Sequence, residues 1–229
     1  MKKVFIDCGA HDGCSVRKFL DVMEDSGEYE IHSFEPNPNL EKYHPVQPAI
    51  FHKQAVWIED GEITFYNFST TGGSSVLKAK HNRNIMKTTK KPLWMKNFGL
   101  PEAITVSAID FSSWVTANFN KDDYIIVKMD IEGAEYEILK KMFLENTISY
   151  INEFWVEWHF TNQPRYYNMA ESLSKLILQR GIKLVQWDAM HSPYLIETNC
   201  IKVLQIYGCL IFLVMLSLEL FLLLMIKLI

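Results

Sequence analysis

Positive charge is what this sequence is short of: 23 Lys and Arg stand against 27 Asp and Glu, a formal net charge of −4. Nucleic-acid binding draws on a basic field that displaces counterions from phosphates, so no nucleic-acid partner is expected. Cysteine is scarce as well. The 4 cysteines, Cys8, Cys14, Cys200 and Cys209, make no C-x-x-C pair and no disulfide framework, which points to a reducing compartment. The start lacks the apolar run of a secretory leader, because Lys2 and Lys3 lead through Val4, Phe5 and Ile6 directly to Asp7. Nor do 229 residues hold two full domains, since a domain takes about 100–200. What the chain has in quantity is apolar mass: 48% hydrophobic residues, with 13% aromatic, suffice for a large globular core.

Long apolar runs are missing until the end, where residues 203–226 are interrupted mainly by Gln205, Ser217 and Glu219. About 20 such residues span a bilayer. The expectation is a domain over 1–200 followed by a transmembrane helix over 203–226, a single-pass C-terminal anchor with the domain on the cytosolic side. Residues 220–226 are too apolar for a helix with a wet face. Glu219 opposes insertion by about 2.5–3.5 kcal/mol and would have to be protonated or paired. The competing readings are a buried terminal strand and helix, or a translated stretch that does not belong to the working protein.

Periodicity organises the rest. Residues 3–8 read as a strand, and Val16, Phe19, Leu20 and Met23 mark one face of a helix over 15–23. A second strand over 31–34 is closed by Glu35 and Pro36. A third covers 47–57, and residues 62–68, after the Asp60–Gly61 turn, read as a hairpin arm added to it. A variable loop follows over about 70–101, basic between 78 and 96. It suits an anionic membrane, an acidic sugar, or plain solvation. The apolar run 124–129 reads as a strand buried on both faces, followed by a helix over 134–144, a strand over 151–158, a helix over 170–180 and a strand over 183–187. Such alternation predicts an α/β fold with a doubly wound, mostly parallel sheet.

Three stretches carry chemistry. Asp7, Cys8, Gly9, Ala10, His11, Asp12 and Gly13 lie where the first strand hands over to a helix, and glycines there let the backbone turn sharply against a helix N-terminus. Glu35 ends the second strand, where a carboxylate accepts both hydroxyls of a ribose. A nicotinamide dehydrogenase would need G-x-G-x-x-G for its pyrophosphate, but His11 replaces the second glycine, which favours S-adenosylmethionine. In the third stretch, Lys128, Met129, Asp130, Ile131, Glu132, Gly133, Ala134 and Glu135, three carboxylates crowd the end of the buried strand and mark the working edge.

Together with Ser33, Phe34, Glu35, Pro36, Asn37 and Pro38, these stretches resemble the signatures of the FkbM family of methyltransferases. The likeness spans roughly 3–187. It implies a Rossmann-like class I methyltransferase fold and, as the usual reaction, O-methylation of a hydroxyl. It implies further that Asp7, Gly9 and His11 line the methionine end of the cofactor, with Ala10 and Gly13 in the same loop. By the same likeness Glu35 holds the ribose and Asp130 faces the transferred methyl. The region of Gln54, Ala55 and Val56 resembles the family's third strand, near the adenine. The chain departs from the pattern at its end, where the last antiparallel strands are compressed into 183–200.

His159 closes the strand after the acidic motif, either as a proton acceptor from the attacking hydroxyl or as an ordinary hydrogen-bonded histidine. No metal is expected, because Asp130, Glu132 and Glu135 have no histidine at ligand spacing, and Glu135 reads as a first-turn helix carboxylate. The sequon at Asn67 falls in a strand and is discounted. The acceptor class is a sugar, lipid or small-metabolite hydroxyl. The alternative is a catalytically silent, membrane-anchored cofactor-binding or scaffold module.

Overall fold

Val-Phe-Ile in the first strand and Ile-Ile-Val in the seventh leave no polar face, so both must lie inside a sheet covered on two sides. The computed structural model describes residues 1–67, 74–77, 102–159 and 164–187. Its elements are β1 (Lys3–Cys8), α1 (Cys14–Val22), β2 (Tyr29–Phe34), β3 (Ile50–His52), β4 (Ala55–Trp57), β5 (Gly61–Asn67) and β6 (Glu102–Asp110). They continue with α2 (Phe111–Asn118), β7 (Tyr124–Met129), α3 (Glu135–Leu144), β8 (Glu153–Val156), α4 (Pro164–Gln179) and β9 (Lys183–Gln186). Six strands form one sheet in the order β3-β2-β1-β7-β8-β9, and every pairing in it is parallel.

Alternation along β1 sorts its side chains between two cores. Val4, Ile6 and Cys8 join buried residues of α2, α3 and α4, whereas Phe5 turns to the opposite face with Val16 and Phe19 of α1. The Phe5 and Phe19 rings stack at 4.0 Å and Trp155 closes over both. Full burial of one such ring stabilises the fold by roughly 1.5–3 kcal/mol. The chain winds from β1 to β2 over one face and from β7 through β8 to β9 over the other. The direction of winding therefore reverses between β1 and β7, which opens a crevice at the carboxyl ends of these strands.

Two expectations need correction. Residues 47–57 are not one strand: β3 pairs with β2 in the main sheet, while β4 belongs to a second sheet ordered β4-β6-β5. The arm β5 does not pair with β4 either, because β6 lies between them, parallel to β4 and antiparallel to β5. The sequence reading has no counterpart for β6 and α2, since Ile104 and Val106 are only half-buried and leave a weak pattern. The helix expected over 170–180 starts earlier, at Pro164. The basic segment 78–96 and the apolar segment 203–226 lie outside the described residues. Among the described residues no helix is long and apolar enough to cross a membrane.

Candidate cofactor and acceptor site

The loop after β1 is shaped by what crowds it. Gly9 has φ +82°, and a Cβ there would meet the carbonyl oxygen of Asp130 at 2.0 Å. Only glycine lets the two loops approach so closely. The Gly9 and Ala10 amides donate to Phe34 O at 3.1 and 2.9 Å, and the Asp130 amide donates to Cys8 O at 3.1 Å. At the far end Gly13, with φ +83°, caps α1, and a Cβ there would meet Val46 at 2.3 Å. Amides at a helix N-terminus have no intrahelical partner and are available to a ligand unless the protein engages them. In the structure those of Gly9, Ala10, His11, Gly13 and Cys14 are all engaged by protein oxygens.

Asp7 and Lys128 lie directly opposite in the β1–β7 register and point to the same face. Their side chains, 0% and 1% exposed, approach to 3.0 Å. The Lys128 ammonium also donates to Gly9 O at 2.7 Å and lies 3.6 Å from Asp130. Burial opposes its charge, but Asp7 and Asp130 hold its pKa above the ordinary lysine value. Burial likewise pushes the Asp7 carboxyl up, against the pull of Lys128. The pair thus ties the loop to β7 from behind. The signal for Lys128 was present in the sequence as one charge in an otherwise apolar strand.

Glu35 follows the last residue of β2, and its buried carboxylate accepts from the amides of His11 at 2.9 Å and Asn37 at 2.8 Å. Burial pushes its pKa up to about 7, opposed by those two amides and by Lys128.

A cavity of about 540 Å³ opens at the crevice. Of the residues expected from sequence, Gly9, His11, Glu35, Asp130 and His159 line it, while Asp7, Ala10 and Gly13 are buried behind its wall. Phe34, Val56, Phe65 and Ile131 supply an apolar wall. Asn37 and Glu157 also line it, as does Ser75, which was not singled out from sequence. Ser75 reaches it through a bridge to Tyr66, and its hydroxyl donates to Glu132 O at 3.0 Å. No local pattern announces that contact.

Where Asp130, Glu132, Glu157 and His159 line it, the cavity is acidic. His159 Nδ1 lies 2.9 Å from Glu135 Oε1, and Nε2 lies 3.6 Å from Asp130, 3.5 Å from Glu132 and 4.0 Å from Glu157. Glu135 Oε1 also accepts from the Ile131 amide at 2.9 Å, so this fully buried carboxylate braces the turn as well as opening α3. Burial opposes charge on His159, but the hydrogen bond and charge of Glu135, with Glu132 and Asp130, raise its pKa to about 9. At neutral pH the imidazole is a donor.

Sequence spacing offers these carboxylates no histidine, but the fold brings one close. Asp130, Glu132 and His159 offer donor atoms all within 4.8 Å of one another, although His159 stands 24 positions beyond Glu135.

The chain resembles known proteins. A crystal structure of a methyltransferase FkbM from Methylobacillus flagellatus KT is similar at 15% sequence identity and a TM-score of 0.44, covering 84% of this chain. This chain spans 41% of that protein's length. A search of curated proteins finds no match. The family model described as methyltransferase FkbM domain matches residues 7–183, from the ion-paired aspartate of β1 to the start of β9. The chain belongs to the FkbM methyltransferase domain family.

Proposed function

We propose that this protein transfers a methyl group from S-adenosylmethionine to a hydroxyl oxygen of a sugar, lipid or small metabolite. The observation that carries the reading is Glu35, whose buried carboxylate faces the cavity where the winding of the sheet reverses. Each of its oxygens accepts one amide, and a carboxylate oxygen has a further lone pair for a ribose hydroxyl. The residues present fit the cofactor. Phe34, Val56 and Phe65 suit an adenine, and Asp130 suits a cationic centre. When bound, the cofactor would supply a methyl on a sulfonium that departs as a neutral thioether, and the proton released from the acceptor hydroxyl would pass to Asp130 or to water.

The chain's own part is positioning and charge. Lys128 and Asp7 hold the loop after β1, Glu35 orients the ribose, and Asp130 and His159 line the side where an acceptor would enter. Membrane attachment through 203–226, with the domain on the cytosolic side, belongs to the same proposal and rests on hydropathy alone.

The test is calorimetric titration with S-adenosylmethionine and S-adenosylhomocysteine, followed by incubation with methyl-labelled cofactor and fractionated cell extract. Binding with label in a hydroxyl-bearing fraction supports the enzyme. Binding without transfer to any fraction points to the silent module, and a folded protein that ignores both ligands at millimolar concentration ends the reading.

A further inference from the structure

We propose that Asp130, Glu132 and His159 form a divalent-cation site on the acidic wall of the cavity. Asp130 and Glu132 belong to the turn between β7 and α3, and His159 to the segment after β8, so the ends of neighbouring strands bring the donors together. His159 Nε2 stands 3.6 Å from Asp130 Oδ1 and 3.5 Å from Glu132 Oε2. Donors bound to one ion at roughly 2.0–2.2 Å lie ~3 Å apart, so this set, whose donor atoms lie within 4.8 Å of one another, closes on an ion by side-chain movement alone. All three side chains are partly exposed and face the cavity, which lets an ion enter and leaves coordination positions open on it.

A separate observation lies behind the ligands. Glu135, fully buried, fixes His159 through Nδ1 at 2.9 Å and thereby turns Nε2 toward Asp130 and Glu132. That is the carboxylate–histidine arrangement which orients a metal-binding imidazole. The other Glu135 oxygen, Oε2, is buried with no hydrogen-bond partner among the described residues, leaving a carboxylate beside the imidazole only half satisfied. With no ion bound, the protonated His159 supplies the positive charge these carboxylates call for; an ion at Nε2 displaces that proton and takes over its role. Two carboxylates with one imidazole suit a hard or borderline ion such as Mn²⁺. The site stands independently of the methyl-transfer reading, since it needs neither cofactor nor acceptor.

Mn²⁺ is the probe. The full chain in detergent, stripped with chelator, is titrated with Mn²⁺ in the absence of cofactor and followed by calorimetry and electron paramagnetic resonance. One bound ion is expected, with nitrogen coupling from an imidazole. Glu132→Gln and Asp130→Asn should abolish binding, and Glu135→Ala should weaken it about 10–100-fold. Glu35→Gln should leave it unchanged. The proposal is overturned by a wild-type chain that takes up no Mn²⁺ at millimolar concentration, by bound ion without nitrogen coupling, or by folded ligand variants that bind as the wild type does. The coupling is read on the wild type, so it decides the matter even where a variant fails to fold. Loss of S-adenosylmethionine binding with Mn²⁺ binding intact would sink only the proposed function.

Discussion

Asp7 and Lys128 face each other across the β1–β7 pairing, and their charged ends meet at 3.0 Å with almost no contact with water. Through the Lys128 bond to Gly9 O, this pair holds the cofactor loop against the strand that carries Asp130. Removing one partner leaves the other charge buried and alone. Lys128→Met should therefore destabilise the domain by about 3–5 kcal/mol in urea unfolding. The double variant Asp7→Asn with Lys128→Met should recover much of that loss. Equal stability of the single variant and the wild type would deny the pair any structural role.

Gly9→Ala should fail for two reasons that add. Its positive φ costs on the order of 1–3 kcal/mol for a residue with a Cβ. The new methyl would also overlap the Asp130 carbonyl, at 2.0 Å. Displacement of the 130–132 turn should lower thermal stability and weaken S-adenosylmethionine binding together. A folded Gly9→Ala that binds the cofactor normally would show that the close approach is dispensable.

Glu35 makes stability depend on pH. Burial raises its folded-state pKa to about 7, above the ordinary 4.5. A raised pKa contributes stability that is complete below the ordinary value and is lost as pH rises through about 7. The urea midpoint of the wild type should fall between pH 5 and 8 relative to Glu35→Gln, which has no such proton to lose. Parallel profiles for the two proteins would mean that Glu35 is ionised throughout.

The same carboxylate should govern cofactor affinity. Glu35→Ala is expected to weaken S-adenosylmethionine binding by about 1.5–3 kcal/mol, the worth of hydrogen bonds to a charged group. If ribose hydroxyls bind its ionised form, binding near pH 6 releases protons, visible as a dependence of the calorimetric heat on buffer ionisation enthalpy. Unchanged affinity in a folded variant would remove Glu35 from the cofactor site.

Membrane attachment is checked by carbonate extraction. The full chain should pellet with membranes, and a version ending at Cys200 should stay in the supernatant. Identical behaviour of the two would dismiss 203–226 as an anchor.

Much of the main sheet was legible from the sequence, because strands buried on both faces have to be almost wholly apolar, and the buried residues of β1 and β7 are so apart from Asp7 and Lys128. The bend from Asp7 to Gly13 and the acid at Glu35 were legible too, since glycine and a strand-ending proline leave local marks. The second sheet was not. β6 is half-exposed along most of its length, and its position between β4 and β5 depends on pairings between segments distant in sequence.

The sequence by itself determined which strands are buried, where they end, and which charged residues stand at those ends. Only the tertiary structure decided what those residues do to each other. Parallel pairing placed Lys128 opposite Asp7 and made it the brace of the cofactor loop, and the crossover from β7 to β8 carried His159 in among Asp130, Glu132 and Glu135. The reason is physical: burial and hydrophobic period are written in neighbouring residues, whereas the field at a side chain is the sum of charges that folding gathers from distant parts of the chain.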